Sequence, residues 1–426
     1  MLPVRWPPVI SVNEARRVVL GSCRRMAAQT FPLAKALGLV LAQPVRAREP
    51  VPPFANSSMD GYALRAANTA GAEARPSRLR VVGMLLAGDD PGGLTVGDGE
   101  AVRIMTGAAL PPGADAVCMV EQTRSEDGWV LIETSLSPGA HVRLVGEDVA
   151  AGEEALPADT RLGPAHIGVL ASLGVTAVLA YPRPRVGVIS TGDELAEGDS
   201  PLKLGKIRDS NRPALLAQLT VDGWGAVDLG KAGDDPQGLT ILLQSAVANC
   251  DAVVTSGGVS VGDRDIVRVV LEELGGGQAR WLQVAVKPAK PFAFSTLPPN
   301  GTPVFGLPGN PVSALVSYEL FVRPALRLMA GFSELDRPRV PAVAEADLNR
   351  TRDGKLHLAR VAVRTGPGGG LLVRPSGGQG SHQLRAMAGA DALAILPDGE
   401  GVKAGEAVEI VLLDADALAP AGEGRW

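Results

Sequence analysis

The sequence predicts a multidomain protein of α/β plus β class. A central three-layer α/β domain with a mostly parallel sheet is joined by a β-rich domain, a small helical or linker domain and a C-terminal β-barrel-like domain. Three observations carry this. The chain has 426 residues, about three domains at roughly 150 residues each. Segments of strand and helix character alternate through residues 183–331, which calls for a parallel sheet covered on both faces. On either side of that block, short apolar runs are separated by clusters of Gly, Pro and Asp, the mark of β-rich structure.

The elements follow in order. Asn13 stands where it can cap a helix NEARRVVLGSCRRMA, and FPLAKALGLVLA continues with apolar residues at helical spacing. This predicts a helical or linker domain of residues 1–48 together with 147–182. Residues 49–146 change character: LRVVGMLL, EAVRIM, DAVCMVE and WVLIE read as strands. The uncharged run Leu162–Pro182 is long enough to cross a bilayer. Its glycines and prolines favour another reading, a buried helix AHIGVLASL stopped by Gly174 and a strand VTAVLAY ended by Pro182.

Pro182-Arg183-Pro184-Arg185 reads as a linker into the α/β domain, residues 183–331. There the strands RVGVIST, GAVDLGKAG, DAVVTSGG and PVFGL alternate with helices. One helix starts at Asn211, read as its cap, with Pro213 in the first turn. Others are PQGLTILLQSAVANC, DIVRVVLEELGG and a long NPVSALVSYELFVRPALRLMAG, with a strand pair around VAVKPAKPFAF. From 332 to 426, KLHLARVAV, LLVRPS, DALAILP and AVEIVLL predict a small β domain or barrel.

Composition narrows the function classes. A 46% hydrophobic content can fill substantial cores, and a net charge of −5 argues against nucleic acid as a partner. Cys23, Cys118 and Cys250 are far apart with no CxxC, which suggests reduced thiols rather than a zinc site or a disulfide framework. His141, His166, His357 and His382 are scattered, and neither HExxH nor GxSxG occurs. The opening residues lack a signal-peptide pattern, so a cytoplasmic protein is expected.

In a parallel α/β sheet, ligands bind beyond the carboxyl ends of the strands. Here those ends carry Thr191-Gly192-Asp193-Glu194, Asp234-Asp235, Ser256-Gly257-Gly258-Val259-Ser260-Val261-Gly262-Asp263-Arg264-Asp265 and Pro308-Gly309-Asn310-Pro311. The SGGVSVG loop lets backbone N–H groups approach an anion just before a helix start, although a plain tight turn has the same composition. Carboxylates beside bound phosphates call for a cation between them, which suggests magnesium. Any single one of these acids also suits a helix start or a solvated turn. Lys287-Pro288-Ala289-Lys290-Pro291-Phe292 sets two ammonium groups about a rigid turn, either for one small anion or as an ordinary charged hairpin. The segment Pro53-Phe54-Ala55-Asn56-Ser57-Ser58-Met59-Asp60-Gly61-Tyr62 combines an apolar anchor (Phe54, Met59, Tyr62) with hydroxyls and one acid. Its Asp60 could equally be a turn residue.

Together, PPFANSSMDGYALR, RIMTGAALPPGADAV, VRLVGEDV, VGVISTGDEL, KIRDSNRPAL, VVTSGGVSVGDRDIV, VKPAKPFAF and FGLPGNPVSALV resemble the molybdopterin molybdenumtransferase family, which includes the E domain of gephyrin. TGDEL and SGGVSVG are shared with other pterin- and nucleotide-binding proteins, whereas SSMDGYA with LPGNP is far more specific. The resemblance implies an elongated homodimer with its active cleft between subunits. It implies insertion of molybdate into adenylylated molybdopterin with magnesium, releasing AMP and molybdenum cofactor. It also implies transient contact with molybdopterin adenylyltransferase or cofactor-accepting enzymes, and no nucleic-acid or membrane partner.

Carried onto this sequence, the resemblance makes Asp60 the main catalytic carboxylate, with Asp148 and Thr106 beside it and Arg143 binding substrate across the cleft. Asp193, Glu194, Asp234, Ser256, Gly257, Gly258, Ser260, Gly262, Asp265, Pro308 and Pro311 would bind the pterin substrate. Asp193, Glu194 and Asp265 would hold the metal. Lys287, Lys290, Pro291, Ser313, Arg360 and Ser381 would form the molybdate pocket, cations and hydroxyls suited to a tetrahedral oxyanion. Gln283 stands where some relatives have a basic residue. Two other functions compete. An adenylyltransferase would need only the α/β domain and would depend on ATP, and a scaffold would not need Asp60.

Overall fold

The computed structural model describes residues 8–259 and 266–414. The chain divides into two compact units, Met1–Gln29 with Tyr181–Trp426, and Thr30–Ala180.

The first unit is built on a seven-stranded sheet. Its order is Val9–Ile10, Arg280–Val284, Pro291–Leu297, Thr302–Leu307, Ala252–Ser256, Arg185–Thr191, Gly225–Ala232. The four strands from Thr302–Leu307 onward in that order run parallel, and Pro291–Leu297 is antiparallel to both its neighbours. Ala252–Ser256 is buried along its whole length, as a strand covered on both faces must be. Side chains alternate between two cores. Val186 and Val188 enter one with Leu215, Leu219, Tyr318 and Phe321, while Ile189 enters the other with Leu239, Leu243, Val267 and Val270. Helices therefore cover both faces. Pro236–Asn249 starts cleanly because Asp235 accepts hydrogen bonds from Gln237 N (3.1 Å) and Gly238 N (2.8 Å), with Pro236 in the first turn.

The last third of this unit closes into a five-stranded barrel. Leu356–Thr365 pairs with Leu371–Pro375, then Arg339–Ala344, Ala407–Leu412 and Ala392–Leu396, which returns to Leu356–Thr365. Inward-facing Val361, Val373, Ala394 and Ile410 fill it. A two-residue strand, Val286–Lys287, runs parallel to Leu356–His357 and fastens the lysine turn to the barrel wall.

The second unit holds a six-stranded sheet, ordered Thr123–Glu126, Trp129–Ile132, Ser77–Leu85, Glu100–Ile104, Gly61–Leu64, Ala116–Met119. A three-stranded sheet of Gln29–Pro32, Ala177–Tyr181 and Val40–Leu41 packs with the helix Pro164–Ser172 through Leu41, Leu162, Leu170 and Val178.

Three expectations need correction. The first helix is Val12–Ser22, capped by Ser11 rather than Asn13. Ser11 N donates to Glu14 Oε2 (2.8 Å) and Glu14 N to Ser11 Oγ (3.2 Å), a reciprocal capping box. FPLAKALGLVLA is not a helix. Pro32 precedes a short 3-10 turn, Leu33–Lys35, and Gly38 takes φ +80, so the chain turns back into the strand Val40–Leu41. The long helix after Asn310 is three pieces, Pro311–Ser317, a π-turn Tyr318–Val322 and Arg323–Met329. Pro324 lacks the N–H that a regular α-helix would use there. Among the described residues no helix is long and apolar enough to cross a membrane, in agreement with the helix–strand reading of 162–182.

Candidate active site

The strands Arg185–Thr191, Ala252–Ser256 and Thr302–Leu307 end side by side. Their following turns form a pocket of about 430 Å³ lined by Thr191, Glu194, Ser256, Gly257, Gly258, Pro308 and Pro311. Gly257 and Gly258 take φ +94 and +66, and a Cβ on Gly257 would lie 2.6 Å from the Thr191 carbonyl oxygen. Only glycine lets the backbone pass there. Ser260, Gly262 and Asp265 lie outside the described residues, as do Asp263 and Arg264. Asp193 and Asp234 meet at neighbouring strand ends, where Asp193 Oδ1 accepts from Asp234 N (3.1 Å). Lys206 Nζ donates to the Asp193 carbonyl (2.5 Å).

Sequence reasoning missed Asn211 as part of this pocket. Ser210 is the cap, and Asn211 is the first helical residue. Its Nδ2 donates to Ser256 Oγ and to Gly309 O, both at 2.7 Å, so it ties two strand-end turns together. The buried Oδ1 has no partner among the described residues. Asp209 lines the same pocket and accepts from Ser190 Oγ (2.5 Å). The motif KIRDSNRP contained the signal. It was a polar residue at a helix start facing strand ends, and a cap assignment alone does not use that fact.

A second cleft, of about 760 Å³, adjoins the first through Pro291. Lys287, Lys290, Pro291, Ser313, Arg360 and Ser381 all line it. The turn holding the lysines contains Ala289 at φ +86 and almost fully buried, a conformation that persists in an L-residue only where packing fixes it. Val312 N donates to Ser381 O (3.1 Å), which joins the helix start carrying Ser313 to the segment carrying Ser381. Arg360 is 0% exposed. Its Nη2 donates to Gly378 O (2.8 Å) and Gly380 O (3.3 Å), while Nε and Nη1 have no partner among the described residues. Burial holds its pKa below the usual arginine value. Arg360 thus carries two buried N–H-bearing nitrogens without a partner among the described residues, donors of the kind that suit an anion. His357, Arg350 and Lys355 also line the cleft and were not singled out in the sequence.

In the second unit, Asn56–Ser57 pairs with Val142–Arg143, and Gly61–Leu64 is a central strand. Gly61 passes so close to the Cys118 carbonyl that no Cβ fits. Between these strands Asp60 stands exposed. Its Oδ1 accepts from Thr106 N (2.8 Å) and Thr106 Oγ1 (2.7 Å), and these bonds, with Arg103 nearby, hold its carboxyl below the usual range. Arg143, in register with Asn56, and Asp148, whose N–H donates to Val51 O (3.0 Å), are also exposed. The expected apolar anchor is only partly one. Tyr62 is 5% exposed, whereas Phe54 and Met59 are 47% and 42% exposed.

The comparisons agree across the chain. Residues 10–174 match the family model "MoeA N-terminal region (domain I and II)", residues 187–328 "Probable molybdopterin binding domain", and residues 342–413 "MoeA C-terminal region (domain IV)". Molybdopterin molybdenumtransferase 2 of Mycobacterium tuberculosis is 39% identical over 91% of this chain and 95% of its own length. Molybdopterin molybdenumtransferase of Nostoc sp. is 36% identical over 93% and 92%. The crystal structure of a molybdopterin biosynthesis MoeA protein from Pyrococcus horikoshii superimposes with a TM-score of 0.79 at 32% identity, covering 96% of this chain and 100% of that one. On these matches the chain belongs to the molybdopterin molybdenumtransferase family.

Proposed function

We propose that this protein inserts molybdate into adenylylated molybdopterin, releasing AMP and molybdenum cofactor. One observation carries the reading. Arg360, wholly buried and with Nε and Nη1 unpartnered among the described residues, stands in the wall of a cleft that Lys287, Lys290, Ser313 and Ser381 also line. A small tetrahedral oxyanion satisfies such donors, and an apolar ligand would leave them orphaned. The adjoining glycine-lined pocket suits a phosphorylated pterin, with backbone groups near Gly257 and Gly258 facing its phosphates. Pro308 and Pro311 line the same pocket, on the turn next to Gly257.

Among the described residues no three acids gather into a metal site. Asp193 and Glu194 are therefore the two that would hold a magnesium ion, which takes one or two carboxylates and fills its shell with phosphate oxygens and water. Asp234, whose N–H donates to Asp193 Oδ1, would bind substrate. Asp265 would join the metal pair. When bound, the ion neutralises charge on the phosphoanhydride. The lysine turn and Arg360 bind molybdate and hold it beside the pterin dithiolene sulfurs. Asp60, kept ionised by Thr106, orients the water that cleaves the anhydride, so that AMP leaves. Arg143 and Asp148 bind and position substrate around Asp60. We further infer a homodimer in which Asp60, Thr106, Arg143 and Asp148 act on substrate held by the partner subunit.

The test is AMP release from adenylylated molybdopterin by purified protein at fixed magnesium without ATP. Molybdate-dependent release is expected. Release that requires ATP, or no release with tight pterin binding, would overturn the reading.

A further inference from the structure

We propose that His357 is a proton-linked cation of the lysine-turn cleft, neutral when the cleft is empty and protonated when a tetrahedral dianion such as molybdate binds. The inference rests on the oxyanion reading of that cleft. His357 lies on the barrel strand Leu356–Thr365 and is in Cα register with Lys287 across a parallel pair. It is 8% exposed and lines the cleft, with Arg360 three residues further along.

Every element packed around it contributes charge. Its own strand carries Arg360, and the lysine turn carries Lys287 and Lys290. The preceding turn carries Arg350, Asp353 and Lys355, and the neighbouring strand, in register through Leu396, leads to Asp398. Both carboxylates are engaged. Asp398 accepts from Arg350 (2.5 Å), and Asp353 from Arg350 (3.1 Å) and Lys355 (2.9 Å). Five cations line the cleft, with two carboxylates in the adjoining turns, an excess of three positive charges before His357 is counted. Arg350, Lys287 and Asp353 are the charges that act on the ring directly.

A sixth cation is unfavourable in that setting. Burial above all, and the charges of Arg350 and Lys287, hold the imidazole below its ordinary range against the pull of Asp353. A dianion lowers the local sum from three positive charges to one and reverses the preference. The ring is already built for the change. Its Nε2 lies 3.1 Å from Asp353 Oδ1, and a carboxylate can only accept, so Nε2 carries the hydrogen and Nδ1 the free lone pair. A proton from buffer adds at Nδ1 and the Asp353 bond stays in place.

The sign follows from linkage. A group whose pKa rises on loading favours binding below its empty-cleft pKa, and the advantage fades as pH climbs through the loaded value. Each unit of rise tightens binding about tenfold between those limits.

The experiment is titration of the full-length protein with sodium molybdate, by calorimetry, between pH 6.5 and 8.5. Each pH uses buffers of different ionisation enthalpy at matched ionic strength. Wild type is expected to take up a fraction of a proton near neutrality, falling to none at the alkaline end. His357→Gln is expected to bind molybdate with no uptake and with an affinity that no longer tightens toward pH 6.5. Ring-carbon NMR of wild type supplies a reading independent of the variant, in which molybdate should move the resonance of His357 toward the imidazolium position. Binding without proton uptake, or uptake that survives in His357→Gln and is lost instead in His382→Gln, would overturn the role of His357 alone. Absence of any molybdate binding would overturn the oxyanion cleft with it.

Discussion

At the residue scale, charge and hydrogen bonding decide what each side chain does. Asp60 is held ionised by two bonds from Thr106. A carboxyl with a depressed folded-state pKa contributes stability above its unfolded pKa and loses it as pH falls through the folded one. Activity that needs ionised Asp60 should fail over the same acid range. Thr106→Ala removes one of the two bonds, so the acid limb of the pH–rate profile should move to higher pH, and an unmoved limb would separate Thr106 from Asp60. Asp60→Ala should keep the fold and stop AMP release, and retained turnover would remove Asp60 from the mechanism. Lys290→Ala should weaken the molybdate response more than pterin binding, and an unchanged molybdate titration would sink the pocket assignment. Asp60 and Lys290 are legible in the sequence as chemically expressive types, whereas Thr106 and the roles given to all three rest on the family resemblance. Asn211, His357 and Arg350 were passed over because their roles depend on which strand ends and turns they face, and spacing within one segment does not carry that.

At the scale of elements, strands buried on both faces and helices with clear caps were legible. RVGVIST, DAVVTS and PQGLTILLQSAVANC fold as their patterns indicate. FPLAKALGLVLA was not, because a short apolar run has helical spacing by chance, and its fate is set by distant partners. Leu33 N donates to Thr176 O (2.8 Å) and Leu41 N to Thr160 O (3.0 Å). The π-turn at Tyr318–Val322 was equally hidden, since it fits a buried cluster drawn from three segments. Tyr318 Oη donates to Asp222 Oδ2 (2.7 Å), and Arg337 reaches Glu319 (2.7 and 2.9 Å) and Asp222 (3.1 Å). Two element-scale outcomes follow. Asn211→Ala leaves the Gly309 carbonyl and Ser256 hydroxyl short of a donor, so urea denaturation should show a loss of about 1–3 kcal/mol. Arg337→Met strands the buried Glu319 carboxylate, while Asp222 keeps Tyr318 Oη and Arg323, and a loss of about 3–5 kcal/mol is expected. A change under 1 kcal/mol in either variant would mean that water satisfies the groups left behind.

At the scale of the whole molecule, one chain combines an α/β sheet edge, a closed barrel and a second unit with its own exposed carboxylate. The first unit brings two adjoining pockets together from residues more than 150 positions apart in sequence, such as Thr191 and Ser381. If Asp60 acts on substrate held by the partner subunit, mixing Asp60→Ala with Lys290→Ala protein should restore activity. Statistical exchange between the two inactive homodimers leaves about a quarter of wild-type sites intact. No recovery after demonstrated subunit exchange would place both residues on the same subunit's site. The central claim, that the cationic cleft and the glycine-lined pocket together join an oxyanion to a phosphorylated pterin, is tested most directly by AMP release. Adenylylated molybdopterin, magnesium and purified protein are combined without ATP, with and without molybdate. Expected is release that rises with molybdate and yields a product able to activate a cofactor-free molybdoenzyme. Release indifferent to molybdate, or none despite tight pterin binding, would contradict it.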